Sequence, residues 1–308
     1  MRISDRLLNG PLGFGAAPLG NMFRNIPDKA AAATVDAAWQ QGTRYYDTAP
    51  FYGAGLSEIR LGKALAAHKR DEYVLSTKVG RLILDEVETG WRDFGEKGGI
   101  FEFGRPNRIV YDYSEHGALK SIEDSLKRLG VDRLDFVWVH DLAQDFHGDA
   151  WIAQFETART GAFRALSRLR DQGVIKGWGL GVNRIEPVEL LLGLSEVKPD
   201  GTLLAGRYTL LDHERAMQRL MRPQSPRGST SSSAVPTARA SSPAAPTSNI
   251  RRHPRRLSPR SSASRRSRST TTYPLRPTRC SSRSPIPPLL PLYRARAGRS
   301  ASPRITLR

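Results

Sequence analysis

The sequence predicts an α/β chain of parallel βα units that closes into a barrel. Three observations carry that reading. Strand-like and helix-like stretches alternate at roughly thirty-residue spacing, which favours parallel strands joined by right-handed crossovers. The clearest strands end on polar groups at matched positions: Asp47 to Lys78 is 31 residues, and Lys78 to His140 is 62, twice that interval. In a closed barrel such equivalent points face a common mouth, where reactive groups collect. The glycine-rich first turn lacks GxGxxG, which weighs against the alternative, a doubly wound open sheet.

Each element has its own signal. Leu12 to Leu19 reads as a short strand containing GFGAAPL, whose bare backbone around Gly15 lets a ligand approach. A helix then runs through Gln41, with Asp28 as its cap and Ala32, Val35, Ala38 and Trp39 on one face. Thr43, Tyr45 and Tyr46 are β-formers that end at Asp47. A turn marked by Pro50, Gly53 and Gly55 carries Tyr52, and the helical run Ser57 to Ala67 presents Ile59, Leu61 and Leu65. Glu72 to Val79 is a buried-type strand with Lys78 at its end. The polar stretch from Gly80 to Tyr113 holds Trp91, Phe94, Phe101 and Phe103, and suits either a lid over a site or a surface hairpin. Glu115 to Leu129 is amphipathic through Leu119, Ile122, Leu126 and Leu129. Leu134 to Val139 is a strand that stops at His140. A helix running to Gln172 leads to the strand Ile175 to Val182; Pro187 opens a short helix, and Thr202 to Ala205 is the sixth strand.

The strand ends permit a specific chemistry. Hydride transfer at a carbonyl carbon needs a proton partner for the oxygen. A phenol with a pKa near 10 is a weak acid at neutral pH. A neighbouring ammonium lowers that pKa, and a carboxylate keeps the ammonium charged and oriented. Tyr52, Lys78 and Asp47 fit those roles, and His140 can hydrogen-bond the carbonyl oxygen. The plainer readings are a turn-forming Asp, a strand-end Lys and a core His. Tyr45 and Tyr46 read as packing.

Three stretches carry a family likeness: GFGAAPLGN near the start, DTAPFYGAGLSE around Tyr52, and GRYTLLD around Tyr208. From Gly13 to about Met221 the chain resembles the aldo/keto reductase family, in the branch of D-threo-aldose and pyridoxal dehydrogenases. The resemblance implies a (β/α)8 barrel, NAD or NADP as cofactor, and a small carbonyl or sugar substrate. It implies a catalytic tetrad at Asp47, Tyr52, Lys78 and His140, with no metal. Asn183, in LGVN, falls where the family grips the nicotinamide amide. Tyr208 shapes the cofactor pocket or serves as a core aromatic. Ala205 stands where the family often carries Gln, so one amide contact departs from its pattern. A non-catalytic, cofactor-sensing barrel is the alternative within the same fold.

Composition divides the chain in two. The 308 residues carry 48 basic and 30 acidic groups, a net charge of +18. From Arg222 onward there are 19 arginines, 19 serines and 14 prolines, with no lysine and no acid. Residues 1–221 hold the remaining 29 basic groups against 30 acidic ones, so a basic nucleic-acid binder is excluded for the body. The single cysteine, Cys280, permits no disulfide framework. Neither an N-terminal apolar segment nor a bilayer-length stretch is present, and a cytoplasmic protein without membrane association is expected.

Residues 1–221 therefore read as a partial barrel of about six of eight βα units, and 222–308 as an Arg/Ser/Pro-rich segment expected to be disordered. At face value that segment is an arm for non-specific contact with nucleic acid, though its few aromatics support base stacking poorly. The genetic code offers another account. Ser229 to Pro236, STSSSAVP, can be encoded so that reading one base earlier gives VDIVVGGP, a buried-type strand. Ser269 to Pro288 yields EHYDVPLEAHALQFSLAHPA in the same way. Leu292 to Arg308 yields VPGARRPERIAEDHAA, which is similar to the family's cofactor-phosphate loop and following helix. A one-base frameshift near Arg222 accounts for all three. It leaves the barrel with two unpaired edges and without its phosphate clamp.

Overall fold

The computed structural model describes residues 12–87, 99–209, 212–220 and 233–237. Trp91, Phe94 and nearly all of 222–308 lie outside them, as do the expectations placed there. The described residues belong to one compact unit, Met1–Ala245. No helix among them is long and apolar enough to cross a membrane.

Nine strands occur among the described residues: β1 (Phe14–Gly15), β2 (Tyr45–Asp47), β3 (Val74–Val79), β4 (Arg81–Val87), β5 (Asn107–Tyr111), β6 (Phe136–His140), β7 (Gly177–Val182), β8 (Gly201–Ala205) and β9 (Ser233–Thr237). β4 and β5 form an antiparallel hairpin. The other seven build one parallel sheet in the order β1-β2-β3-β6-β7-β8-β9. The helices are α1 (Asp28–Gln40), α2 (Leu56–Leu65), α3 (Glu115–Leu129), α4 (Gln144–His147), α5 (Trp151–Thr160), α6 (Ala162–Asp171), α7 (Glu186–Gly193) and α8 (Glu214–Arg219). This is a (β/α)8-type half-barrel: strand follows helix around an arc whose end strands, β1 and β9, are not paired to each other.

Strand periodicity creates two cores and one rim. Alternate residues point to opposite faces of a strand. Tyr45, Val74, Phe136, Trp138 and Leu203 make the inner cluster. Tyr46, Leu75, Val137, Val139 and Leu180 pack outward, in the cluster that includes the buried faces of the helices. Asp47, Ser76, Lys78 and His140 share the parity of the inner cluster. The sheet is buried on both faces, which is why β3 and β6 read as unbroken buried runs.

Five of the six strands through Ala205 stand where the rhythm predicts, with shifts of a few residues at their ends. The first, expected over Leu12 to Leu19, shrinks to Phe14–Gly15, because Ala17–Gly20 turns as a 3-10 helix with Pro18 in its first turn. The structure adds a seventh, β9, drawn from beyond Arg222 and paired with β8 over five positions. Backbone ladders need no particular side chain, so the open edge of β8 accepts it.

Three local expectations are revised. Asp28 does not cap α1; Pro27 is the N-cap, and the Asp28 carboxylate accepts from Arg60 Nε at 2.8 Å. Arg60 also donates to the carbonyls of Leu19 and Ile26, so it ties the entry of α1 to α2. The helix expected to run to Gln172 is two helices, broken at Gly161, where an added Cβ would lie 2.7 Å from the Glu115 nitrogen. Gly80 to Tyr113 contains a true hairpin, yet Phe101 in its connection is buried and stacks edge-on to Phe51, with ring centroids 5.1 Å apart. The stretch is therefore a hairpin that also covers the site.

Candidate active site

β2 and β3 deliver a carboxylate and an ammonium to the same point. Lys78 Nζ donates to Asp47 Oδ2 at 2.5 Å and to the Thr48 carbonyl at 2.8 Å. Both side chains are almost fully buried. The other carboxylate oxygen is also engaged: Ser76 Oγ donates to Asp47 Oδ1 at 2.6 Å, and Tyr45 OH lies 3.0 Å from Ser76 Oγ. Tyr45, read as packing, thus belongs to the shell that orients Asp47. Gly181 on β7 packs beside the lysine stem; a Cβ there would meet Lys78 Cε at an ordinary 3.5 Å and Trp138 Cβ more tightly, at 3.3 Å.

Tyr52 reaches this pair from the loop after β2. Gly53, at φ +67°, packs so closely on Gly20 that a Cβ would lie 2.3 Å from the Gly20 oxygen. Only glycine fits such a left-handed, backbone-on-backbone contact. Ser57 Oγ fastens the same loop by donating to the Ala16 carbonyl at 2.7 Å. Lys78 Nζ then sits 4.7 Å from the centre of the Tyr52 ring. The Tyr52 ring meets His140 edge-on at 5.7 Å and is covered by Phe101 at 5.6 Å.

The electrostatics revise one expectation. Burial raises the Tyr52 phenol above its ordinary value; Lys78 pulls it down, and Asp47 partly cancels that pull, so the net shift is upward. Desolvation outweighs the ammonium even though the Tyr52 side chain is only half-buried. For Lys78, burial lowers the pKa, but Asp47 and Tyr52 more than offset it and the ammonium is held charged. His140 is pushed well below the usual imidazole value by burial first, then by Arg81 and Lys78.

The structure brings Asp47, Tyr52, Lys78 and His140 together at the carboxyl end of the sheet. Gly15 pairs with Asp47 in the ladder and faces open space on its Cβ side. Asn183 follows β7, and its carbonyl accepts from Arg207 Nε at 3.0 Å. Tyr208, just past β8, is half-buried against the outer core. Near these two, Arg184, Arg207 and Arg215 line a cleft with Ile185, Glu186 and Asp212.

Sequence reasoning missed Ser76, Arg81 and Asp141. Ser76 had a signal, since a polar residue two positions before Lys78 in a buried strand shares its face. Arg81 and Asp141 had none, because their pairing at 2.7 Å spans 60 positions.

Residues 11–224 match the model of the aldo/keto reductase family. The chain is 40% identical over 208 residues to a D-threo-aldose 1-dehydrogenase of Pseudomonas sp, covering 67% of this chain and 60% of that one. It is 39% identical over 216 residues to a pyridoxal 4-dehydrogenase of Microbacterium luteolum, covering 65% and 59%. A solved structure from Pseudomonas aeruginosa, assigned as an aldo-keto reductase, is 29% identical with a TM-score of 0.47, covering 68% of this chain and 66% of that one. The chain spans about three fifths of the length of these two curated relatives.

Proposed function

The chain belongs to the aldo/keto reductase family, and from that premise we propose that it encodes the proton-transfer half of an NAD- or NADP-dependent oxidoreductase. The reaction interconverts an aldehyde or ketone with an alcohol, or an aldose C1 hydroxyl with a lactone. One observation carries the reading: the Lys78 ammonium touches Asp47 at 2.5 Å and lies 4.7 Å from the Tyr52 ring, with His140 at that ring's edge.

A nicotinamide cofactor, when bound, would supply or accept the hydride. The chain's own residues handle the proton. In reduction Tyr52 OH gives its proton to the carbonyl oxygen, and the Lys78 ammonium stabilises the phenolate left behind. Asp47 keeps Lys78 charged and aimed. His140, neutral because of its burial and the cations beside it, holds the oxygen by a hydrogen bond.

The residues present fit a nicotinamide at the rim. Gly15 leaves space beside Asp47, and Asn183 lies at the end of the strand next to that of His140. The cleft with Arg184, Arg207 and Arg215 offers cations for a phosphate, although Arg207 is paired with Asp212 at 3.0 Å. The small-molecule substrate is proposed as an aldose or an aldehyde, by likeness to the relatives' reactions.

We also propose that the stretch after Arg222 is an out-of-frame reading of the barrel's last two units, so the chain as written is inactive. β9 supports this: Ser233–Thr237 overlaps the stretch whose shifted reading is VDIVVGGP. The test is to resequence the gene, then express the written and the frame-restored proteins. Each is assayed with aldoses and aldehydes against NAD(H) and NADP(H). Turnover confined to the restored protein is expected. A clean read with an unchanged frame, or a soluble written chain that turns over, removes the frameshift. No turnover by a folded, restored protein removes the enzymatic reading.

A further inference from the structure

Behind His140 lies a buried charged cluster that the proton-transfer tetrad does not use. Arg81 opens β4, three residues after Lys78. Gly80 makes the turn at φ +103°, where a Cβ would lie 2.4 Å from the Tyr113 ring. The Arg81 side chain is only 2% exposed. Its Nη1 donates to Asp141 Oδ2 at 2.7 Å and points at His140 Nδ1 at 3.1 Å, while Nη2 donates to Tyr111 OH at 3.1 Å. The guanidinium lies 4.1 Å from the centre of the Phe51 ring, 4.7 Å from that of Tyr111 and 5.2 Å from that of Phe146. Asp141 adopts a left-handed φ of +52°, which costs a non-glycine residue energy.

We infer that Arg81, anchored by Asp141, is a positioning residue that fixes His140 as its neutral Nε2–H tautomer. The inference rests on the functional reading above only for its purpose, since Nε2–H is the tautomer that can donate to a substrate oxygen. The chemistry is short. A guanidinium has donors and no acceptor, and it stays charged at any working pH. A ring nitrogen 3.1 Å from its Nη1 must therefore present a lone pair, so Nδ1 carries no proton. The remaining proton of a neutral ring sits on Nε2. Asp141 Oδ2, 3.4 Å from Nε2, favours the same placement by charge. The other groups around the ring agree. Lys78 and Arg81 both oppose a second proton on it, and Tyr113 OH donates to the His140 backbone carbonyl at 2.8 Å rather than to the ring. His147 is likewise held below its ordinary value, by burial first and by Arg81 next. A merely structural Arg81–Asp141 pair would leave the tautomer to chance.

The experiment is nitrogen-15 NMR of histidine-labelled full chain, in solution or by magic-angle spinning of sedimented protein. The His140 signals are assigned by their loss in His140→Gln. The expected spectrum has Nδ1 unprotonated and Nε2 protonated, unchanged between about pH 5 and 8, where a free imidazole titrates. Arg81→Met should shift Nδ1 towards the protonated position, and Arg81→Lys should restore part of the wild-type pattern. A protonated Nδ1 in the wild type overturns the inference, and so does an unmoved spectrum in a folded Arg81→Met. Should Arg81→Met fail to fold, the wild type and Arg81→Lys decide it alone. The spectrum is read without turnover, so the catalytic silence expected of the written chain leaves this inference standing or falling on its own signal, whereas only a folded, frame-restored protein without turnover counts against the functional reading.

Discussion

A half-buried phenol held above its ordinary pKa acts first as an acid. Tyr52 is protonated throughout the neutral range, because desolvation exceeds the pull of Lys78. Carbonyl reduction consumes that proton, so its rate should hold across neutral pH and fall only in strong alkali. Oxidation needs the phenolate, so its rate should rise as pH climbs towards the raised pKa. Tyr52→Phe should remove both limbs in pH profiles of the frame-restored enzyme, at a loss of about 10²–10⁴-fold in kcat. His140 makes a different prediction, for stability. Its folded pKa is depressed, so the unfolded chain takes up the proton first as pH falls below about 6.5. Stability from this group is complete above that value and is lost as pH drops towards the folded pKa, by up to about 1.4 kcal/mol per pH unit. Denaturant midpoints across that window should show the slope, and His140→Gln should lessen it.

At the scale of elements, two buried polar residues stitch β3 to its neighbours. Asp135, just before β6, accepts from Arg70 at 2.6 Å and from the Leu75 backbone at 2.8 Å, and pairs with Lys176 at 2.6 Å. Burial pushes its pKa up, but these partners more than offset that and the carboxyl is held below its ordinary value. Its contribution is present above the unfolded pKa near 4 and is lost as pH falls through the lower folded value. Asp135→Asn should cost about 2–4 kcal/mol at neutral pH and flatten the acid limb of a stability curve. Ser76→Ala should cost about 1–3 kcal/mol in chemical denaturation, since Asp47 Oδ1 loses a partner inside the core. These elements also mark what the chain made legible. β2, β3 and β6 could be read because each is a short run rich in β-forming residues that closes on or beside a charged or titratable group, and those polar ends then count out one unit and two. Asp47, Lys78 and His140 follow from that count. The cap of α1 could not be read, because Asp28 was claimed by Arg60 from 32 positions away. Arg81 was hidden for the same reason: nothing near it in sequence names His140 as its neighbour.

For the whole molecule, what matters is whether the arc closes. A parallel sheet is stable when helices cover one face and a filled interior covers the other. Here, among the described residues, the inner cluster rests on Tyr45, Val74, Phe136, Trp138 and Leu203, from β2, β3, β6 and β8. Among the described residues β1 pairs with β2 alone, and the edge of β8 is met by a strand containing Pro236, which cannot donate to a ladder. An arc with such edges offers template backbone to other chains. The written chain should therefore sediment as large species at micromolar concentration. The frame-restored protein, with VDIVVGGP in the seventh position and its eighth unit rebuilt, should run as a discrete compact particle. Analytical ultracentrifugation of the two side by side is the check. Monodisperse behaviour by the written chain would mean that β9 seals the β8 edge unaided, and the case for a broken reading frame would lose its structural consequence.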